Sequence, residues 1–367
     1  MSNKFSSPSL SVLRATPQYV PLTDICQPKQ WKTIPKAELK TKGYPVYGAN
    51  GLIGYSDEYN HENKTILIAC RGASCGAINV CLPKSYVTGN AMCLDNLNEE
   101  FDLDFLQHYL QTYDFKKAIS GSAQPQITRS GLSLIMIPIL PVSLQRKISC
   151  ILSAVDENKK QAEQTVKYLD SLIKSRFVEM FGDPVQNSFH WRMAPLGGNA
   201  KLINGRAYKQ NELHISGKYP VLRVGNFFSN RDWYYSDLEL NEIKYCDNGD
   251  LLYAWSASFG PKIWDGGKVI YHYHIWKVEV GDAYNKHFLC KLLKYAEKSF
   301  LGDTHGIGML HLTKSGMEEA PFIVPPRDLQ DRFADFVQQV DKLRFATQQQ
   351  IDKLETLKKS LMQEYFG

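Results

Sequence analysis

Glu242-Ile-Lys244, shortly after Asp237, has the residue types of a nuclease carboxylate–lysine set. The triplet recurs as Glu38-Leu-Lys40, as chance predicts for a chain this long, so the pattern carries little weight. His272-Tyr-His274 with His287 offers imidazoles for a metal, because strand alternation would put the first two on one face. A polar face explains them more simply. Cys70, Cys75, Cys81 and Cys93 lie close in sequence, but none forms the Cys-x-x-Cys pair typical of structural zinc, and apolar strand-like residues flank them. Reduced, buried thiols are the expectation, with no metal site. Methyltransferase signatures (Asn/Asp-Pro-Pro-Tyr, Phe-x-Gly-x-Gly) and the Gly-x-x-x-x-Gly-Lys-Ser/Thr phosphate loop are absent from the sequence. No catalytic residue is assigned.

Binding chemistry is better represented. Glycine-containing loops carry Arg71 and Ser74 in the first half, and Ser256, Ser258 and Lys262 in the second. Later loops carry Gln124, Gln126 and Arg129, then His305 and Lys314. Lys84, Arg223, Asn226 and Arg231 are further basic or amide side chains in loops, the last three beside aromatics. Gln and Arg can each make two hydrogen bonds to a purine edge, while Ser, Thr and Lys favour phosphates. Together these residues form the candidate DNA-contacting set. Phe227, Phe228, Trp233, Tyr234, Tyr235, Tyr253 and Trp255 crowd the second half, and at least half of them should be core.

The elements that position these loops come in duplicate. Pro141 to Gly182 recurs without a gap as Pro326 to Gly367, an offset of 185 residues that matches Gln145 to Gln330, Val155-Asp156 to Val340-Asp341 and Leu172 to Leu357. Each copy lacks internal proline and glycine and predicts one helix of roughly 60 Å. Apolar positions at alternating three- and four-residue steps predict a packing seam: Ile148, Ile151, Val155, Leu169 and Leu172 in one, Phe333, Phe336, Val340, Leu354 and Leu357 in the other. Polar residues near the middle, Asn158, Thr165, Thr347 and Gln350, either set register or are simply solvated. Short strand-like runs precede each helix, and Tyr44-Pro-Val is echoed by Tyr219-Pro-Val. The fold class is therefore α+β with an internal pseudo-two-fold repeat. Its expected parts are a flexible tail (1–17), a β-rich domain (18–140), a spacer helix (141–182), a second domain (183–325) and a C-terminal helix (326–367).

The 367 residues, 43% hydrophobic and 22% charged, suit a soluble multi-domain protein, and the net charge of +5 is compatible with nucleic acid without requiring it. With no secretory signal or bilayer-length apolar run, a cytoplasmic location is expected.

Gln-Pro-Gln-Ile-Thr128 before an Ile-Pro strand, Pro-x-x-x-Gln-x-x-Ile at the helix start and Ser-Arg-Phe-x-x-Met-Phe-Gly at its end form an ordered set. In this setting the chain resembles the specificity subunit of type I restriction–modification systems. The second Gln-Pro-Gln loop departs from the pattern, reading Gly306-Ile-Gly-Met-Leu310. The resemblance implies two target-recognition domains, each reading half of a bipartite double-stranded DNA target. It also implies two long helices paired as an antiparallel coiled coil that fixes the spacer. Two methylation subunits and the restriction–motor subunits would be partners, using S-adenosylmethionine, ATP and Mg. This chain would need no cofactor, no membrane and no catalysis of its own. The alternatives are a self-contained DNA nuclease or methyltransferase, and a coiled-coil interaction scaffold.

Overall fold

The computed structural model describes residues 18–121, 125–229, 231–256, 258–301 and 313–366. The expected N-terminal tail, Gln124, His305 and the Gly306–Leu310 loop lie outside the described residues. Two compact units result: one runs to Glu163 and resumes at Gln349, and the other is Gln164–Gln348. Both boundaries fall within the long helices, because the two ends of each helix pack onto different units.

In the first unit the strands are β1 (Tyr19–Pro21), β2 (Gln27–Lys29), β3 (Tyr44–Gly48), β4 (Gly51–Ser56), β5 (Ile66–Ala69), β6 (Ile78–Val80), β7 (Tyr86–Val87), β8 (Ala91–Asp95), β9 (Ile119–Ser120), β10 (Gln126–Ile127) and β11 (Met136–Pro138). They form a sheet of order β2-β8-β5-β6, a smaller sheet β4-β3-β7, and the pairs β1-β11 and β9-β10. The second unit contains β12 (Met193–Pro195), β13 (Ala200–Asn204), β14 (Tyr219–Leu222), β15 (Tyr234–Ser236), β16 (Tyr245–Cys246), β17 (Leu251–Ser256), β18 (Ser258–Ile263), β19 (Val269–Tyr271), β20 (Ile275–Val280) and β21 (Pro321–Ile323). Its sheets run β13-β20-β17-β18 and β15-β14-β19-β16, with the pair β12-β21. The plan is the same, down to the parallel pairings β3–β7 and β14–β19 inside otherwise antiparallel sheets.

The cores explain why the central strands are apolar on both faces. In β5, Ile66 and Ile68 join Met92, Leu94, Leu106 and Leu110 on the helix side, whereas Leu67 packs with Cys81, Val87 and Cys93 toward the smaller sheet. In β17, Leu251 and Tyr253 face Trp276, Phe288 and Leu292, while Leu252 and Ala254 face Trp264 and Tyr271. Alternation sends successive side chains to opposite faces, so a strand buried on both sides reads as a continuous apolar run. Of the seven clustered aromatics, Phe227 and Tyr253 are buried, and Trp233 and Trp255 pack against cores, which meets the expectation of at least half.

Val142–Phe181 and Arg327–Phe366 are the two long helices. In the first unit the start of one meets the end of the other: Ile148 and Leu152 cluster with Leu361 and Phe366, and Asp156 pairs with Lys358 at 2.6 Å. In the second unit the opposite ends meet, with Phe177 and Phe181 each 5.5 Å from Phe333. Within each unit the pairing is antiparallel. Ile148, Val155, Phe333 and Val340 are buried there, and Ile151, Leu169, Phe336 and Leu354 are partly buried. Leu172 and Leu357 depart from the expected seam, remaining 48% and 46% exposed. The buried line passes instead through Ile173, Phe177 and Phe181, whose four-residue steps keep them on one helix face, packed into the core of the second unit. Asn158 and Thr347 bond to the carbonyls of Ala154 and Leu343 on their own helices, which favours solvation over register-setting at those two positions. Gly182, at φ +74°, ends the first long helix.

A buried glutamine ties each long helix to its domain. Gln145 accepts from the Asp102 N–H (2.8 Å) and donates to the Glu100 (2.9 Å) and Leu140 (2.7 Å) carbonyls. Gln330 accepts from the Asn285 N–H (2.8 Å) and donates to the Ala283 (3.0 Å) and Pro325 (2.8 Å) carbonyls. Asp102 caps the helix Leu103–Thr112, and Asn285 accepts at the start of Lys286–Leu301. The same clamp therefore joins the domain helix to the long helix in both repeats.

Candidate nucleic-acid interface

At one end of the first domain three turns converge: β3–β4, the β5–β6 loop and β7–β8. They line a cavity of about 600 Å³ that includes Asn50, Arg71, Ser74 and Asn90. Arg71, Asn50 and Asn90 are exposed. The Arg71 backbone bridges to Gln126, and the Ile127 N–H bonds the Cys70 carbonyl at 3.0 Å, so the β10 segment joins this rim. Gln30 braces it from behind, donating to Gly89 O at 3.0 Å and Cys70 Sγ at 2.9 Å. Gly72 and Gly76 take φ of +79° and +94°, which the tight Arg71 loop requires. Arg129 follows on an exposed turn capped by Thr128 Oγ1, and Thr313 caps the matching turn before Lys314.

The second domain builds its rim from the same strand ends with different side chains. Where the first has Thr88-Gly-Asn90 between β7 and β8, the second has His272-Tyr-His274 between β19 and β20. These residues sit in a turn, not on a strand, and their rings crowd together: Tyr273–His274 centroids are 3.9 Å apart and Trp255–His274 5.1 Å. Trp255 Nε1 donates to the Tyr273 carbonyl at 2.9 Å. Arg206 forks onto Glu212 at 2.9 and 2.7 Å, and the Arg223 guanidinium stands 4.2 Å over Tyr234. Burial, with His274 and Arg223 beside it, lowers His272 to about 4, so the ring is neutral at pH 7. Ser256 and Ser258 face each other across β17–β18, Ser258 being exposed.

Several candidates lie elsewhere. Lys84 sits in the loop before β7, at the far end of β5 from Arg71, paired with Glu62 at 3.8 Å. Lys262 is further along β18, held by Asp265 at 3.0 Å. Asn226 donates to the Arg231 and Asp232 carbonyls and so closes its own loop, with Arg231 exposed above it. Lys314 pairs with Glu318 at 3.5 Å. Asn50, Asn90, Arg206 and Tyr273 were not singled out from sequence. Aligning the β7–β8 turn with the β19–β20 turn through the repeat is the signal that places Asn90 and Tyr273.

The carboxylate–lysine set and the three-histidine set find little geometry. Lys244 Nζ donates to the Asn204 carbonyl (2.7 Å) and Asp237 accepts from the Lys218 N–H (2.8 Å), so both are engaged in local structure. His287 belongs to the helix Lys286–Leu301, whereas His272 and His274 sit in the β19–β20 turn. Cys70, Cys81 and Cys93 are buried free thiols, and burial pushes them up from their ordinary range. No helix among the described residues is long and apolar enough to cross a membrane.

A duplicated α+β domain, each copy clamped to a long helix and presenting a polar or aromatic rim, defines a class of modular recognition protein. The type I restriction modification DNA specificity domain matches twice, over residues 16–168 and 190–356, and the chain belongs to that family. A Haemophilus influenzae protein named as a type I restriction enzyme specificity subunit is 25% identical over 327 residues, covering 84% of this chain and 83% of its own. The MjaIX specificity subunit of Methanocaldococcus jannaschii is 24% identical, covering 68% and 64%. The solved type I S subunit from M. genitalium shares the fold, with TM-score 0.68 and 17% identity over 97% of this chain and 98% of its own.

Proposed function

We propose that this chain is the non-catalytic specificity subunit of a type I restriction–modification complex, with residues 18–140 and 183–325 each reading one half of a bipartite double-stranded DNA target. The observation that carries this reading is the pair of equivalent rims. One strand frame displays Asn50, Arg71, Asn90 and Gln126 in one copy, and Arg206, Arg223, Trp255 and Tyr273 in the other. A fixed frame with exchangeable loop chemistry suits two different half-sites. The long helices act as the spacer. Methylation subunits, using S-adenosylmethionine, and restriction–motor subunits, using ATP and Mg, supply the chemistry in the cytoplasm, so this chain needs no reaction cofactor.

Two copies of the methylation subunit suit the repeat. Leu172 and Leu357, equivalent under the 185-residue offset, are both about half exposed. A cleft in the first unit is lined by Gln111, Asp156, Lys159 and Glu355, and one in the second by the equivalent Lys294, Asp341, Arg344 and Asp170. Each repeat thus offers similar surface to an identical partner.

Exchanging Pro195–Pro325 for another second domain, in the assembled complex, tests the reading. Mapping of methylated adenines should show one half of the motif replaced and the other retained. Change in both halves, or DNA cleavage or methylation by the purified chain alone, refutes it.

A further inference from the structure

At the far end of the first domain from Arg71, one buried imidazole is held between an amide oxygen and a carboxylate. Asn60 is fixed by Val87: its Nδ2 donates to the Val87 carbonyl at 3.0 Å and its Oδ1 accepts the Val87 N–H at 2.8 Å. The atom facing His61 Nδ1 at 2.6 Å is therefore an acceptor, and Nδ1 must be the donor. In the neutral ring this leaves a lone pair on Nε2. That nitrogen faces Asp95 Oδ1 at 2.9 Å, and the carboxylate has no proton to give. Two lone pairs pointing at each other inside a protein repel. A proton shared by the pair, or a cation bound by both atoms, relieves the contact.

A third donor stands beside the pair. Cys93 precedes Asp95 by two residues on β8, so both side chains project to the same face. Its sulfur, the His61 nitrogen and an Asp95 oxygen all lie within 4.8 Å of one another. His61 is 7% exposed and Cys93 fully buried. A second proton would satisfy His61 and Asp95 without using the sulfur, which otherwise packs with Leu67, Cys81 and Val87. A divalent cation uses all three donors, and two anionic ligands balance its charge.

We propose that His61, Cys93 and Asp95 form a zinc site that pins the loop before β5 to the main sheet. The mixed nitrogen, sulfur and oxygen set suits zinc rather than magnesium or calcium, which prefer oxygen alone. The outer contacts are those of a built site. Asn60 fixes the tautomer of His61, and Trp31 Nε1 donates to the other Asp95 oxygen at 3.0 Å. A polar cavity of about 570 Å³, lined by Gln27, Asn63 and Lys64 among others, adjoins His61 and Asp95 and gives a water access to the fourth position. On binding, the Cys93 S–H proton leaves to solvent and the thiolate takes the metal. Burial and Asp95 otherwise hold this thiol protonated. This group takes only one of the four clustered cysteines, so it needs no Cys-x-x-Cys spacing.

The test uses the full chain, stripped of metal and titrated with cobalt(II) as a spectroscopic stand-in for zinc. The expected result is one equivalent bound, with a thiolate-to-cobalt absorption band in the near ultraviolet. Cys93→Ser should abolish the band, Asp95→Asn should weaken binding at least about ten-fold, and Cys246→Ser in the second domain should change neither. Zinc should also raise the thermal midpoint of the wild-type chain. Absence of a band at saturating cobalt, or a band that survives Cys93→Ser, overturns the proposal. The wild-type titration decides the matter even where a variant fails to fold.

Discussion

Replacing Gln145 by alanine removes a side chain that is fully buried and makes three hydrogen bonds, all to backbone. The truncation strands the Asp102 N–H and the Glu100 and Leu140 carbonyls. Each buried group left without a partner costs about 1–3 kcal/mol, and water entering the vacated space recovers part of that. We expect a net loss of about 3–5 kcal/mol, set against a typical domain stability of roughly 5–15 kcal/mol. Gln330→Ala strands the Asn285 N–H and the Ala283 and Pro325 carbonyls, and should cost a similar amount in the second unit. Urea unfolding measures the total. Amide hydrogen exchange locates it: Gln145→Ala should lower protection near Asp102 and the start of the first long helix while sparing residues near Asn285. In the assembled complex, each variant should loosen recognition of its own half-site. A loss below about 1 kcal/mol, or exchange rising equally around both glutamines, would falsify the view that these residues clamp helix to domain.

Three further outcomes follow from the same geometry. His272 titrates near 4 in the folded domain, against an ordinary 6.5, so as pH falls the unfolded chain binds the proton first. Its contribution is complete above about 6.5 and lost toward 4; thermal melts should decline over that window, and His272→Gln should flatten the decline, whereas an unchanged profile contradicts the assignment. Leu172→Asp and Leu357→Asp, at half-exposed positions, should leave the chain's melting midpoint nearly unchanged and each reduce the bound methylation subunits from two to one by native mass spectrometry. Retention of two copies in both variants would remove these leucines from the docking surface. Inserting four residues, about 6 Å of helix, after Gln161 and again at the equivalent position of the second long helix should change the spacer of the methylated motif but neither half-site. Altered half-sites would end the spacer interpretation.

The sequence by itself determined the repeat, the two long helices and the family. The gapless offset from Pro141 to Pro326 survives because helix length must stay constant where both ends pack, and that constraint is written in consecutive residues. Strand existence was legible for a similar reason: β5 and β17, buried on both faces, have little choice but to be apolar. Tertiary structure decided what local pattern leaves open. The exposure of Leu172 and Leu357 depends on which helix face meets a neighbour, and a leucine looks the same on either face. Gln145 and Gln330 stood out as matched motif letters, but their role as clamps exists only once Glu100 and Ala283 are brought alongside by folding. The rims were half legible. Arg71 and Gln126, distant in sequence, meet through a β-bridge, whereas Lys84 lies apart from them because the strands carry it to the other end of the same domain. His61 and Asp95 lie on different segments, and only the fold turns their lone pairs toward each other. Composition and period record what a residue must avoid, water or the core; which residue it meets is fixed by long-range packing.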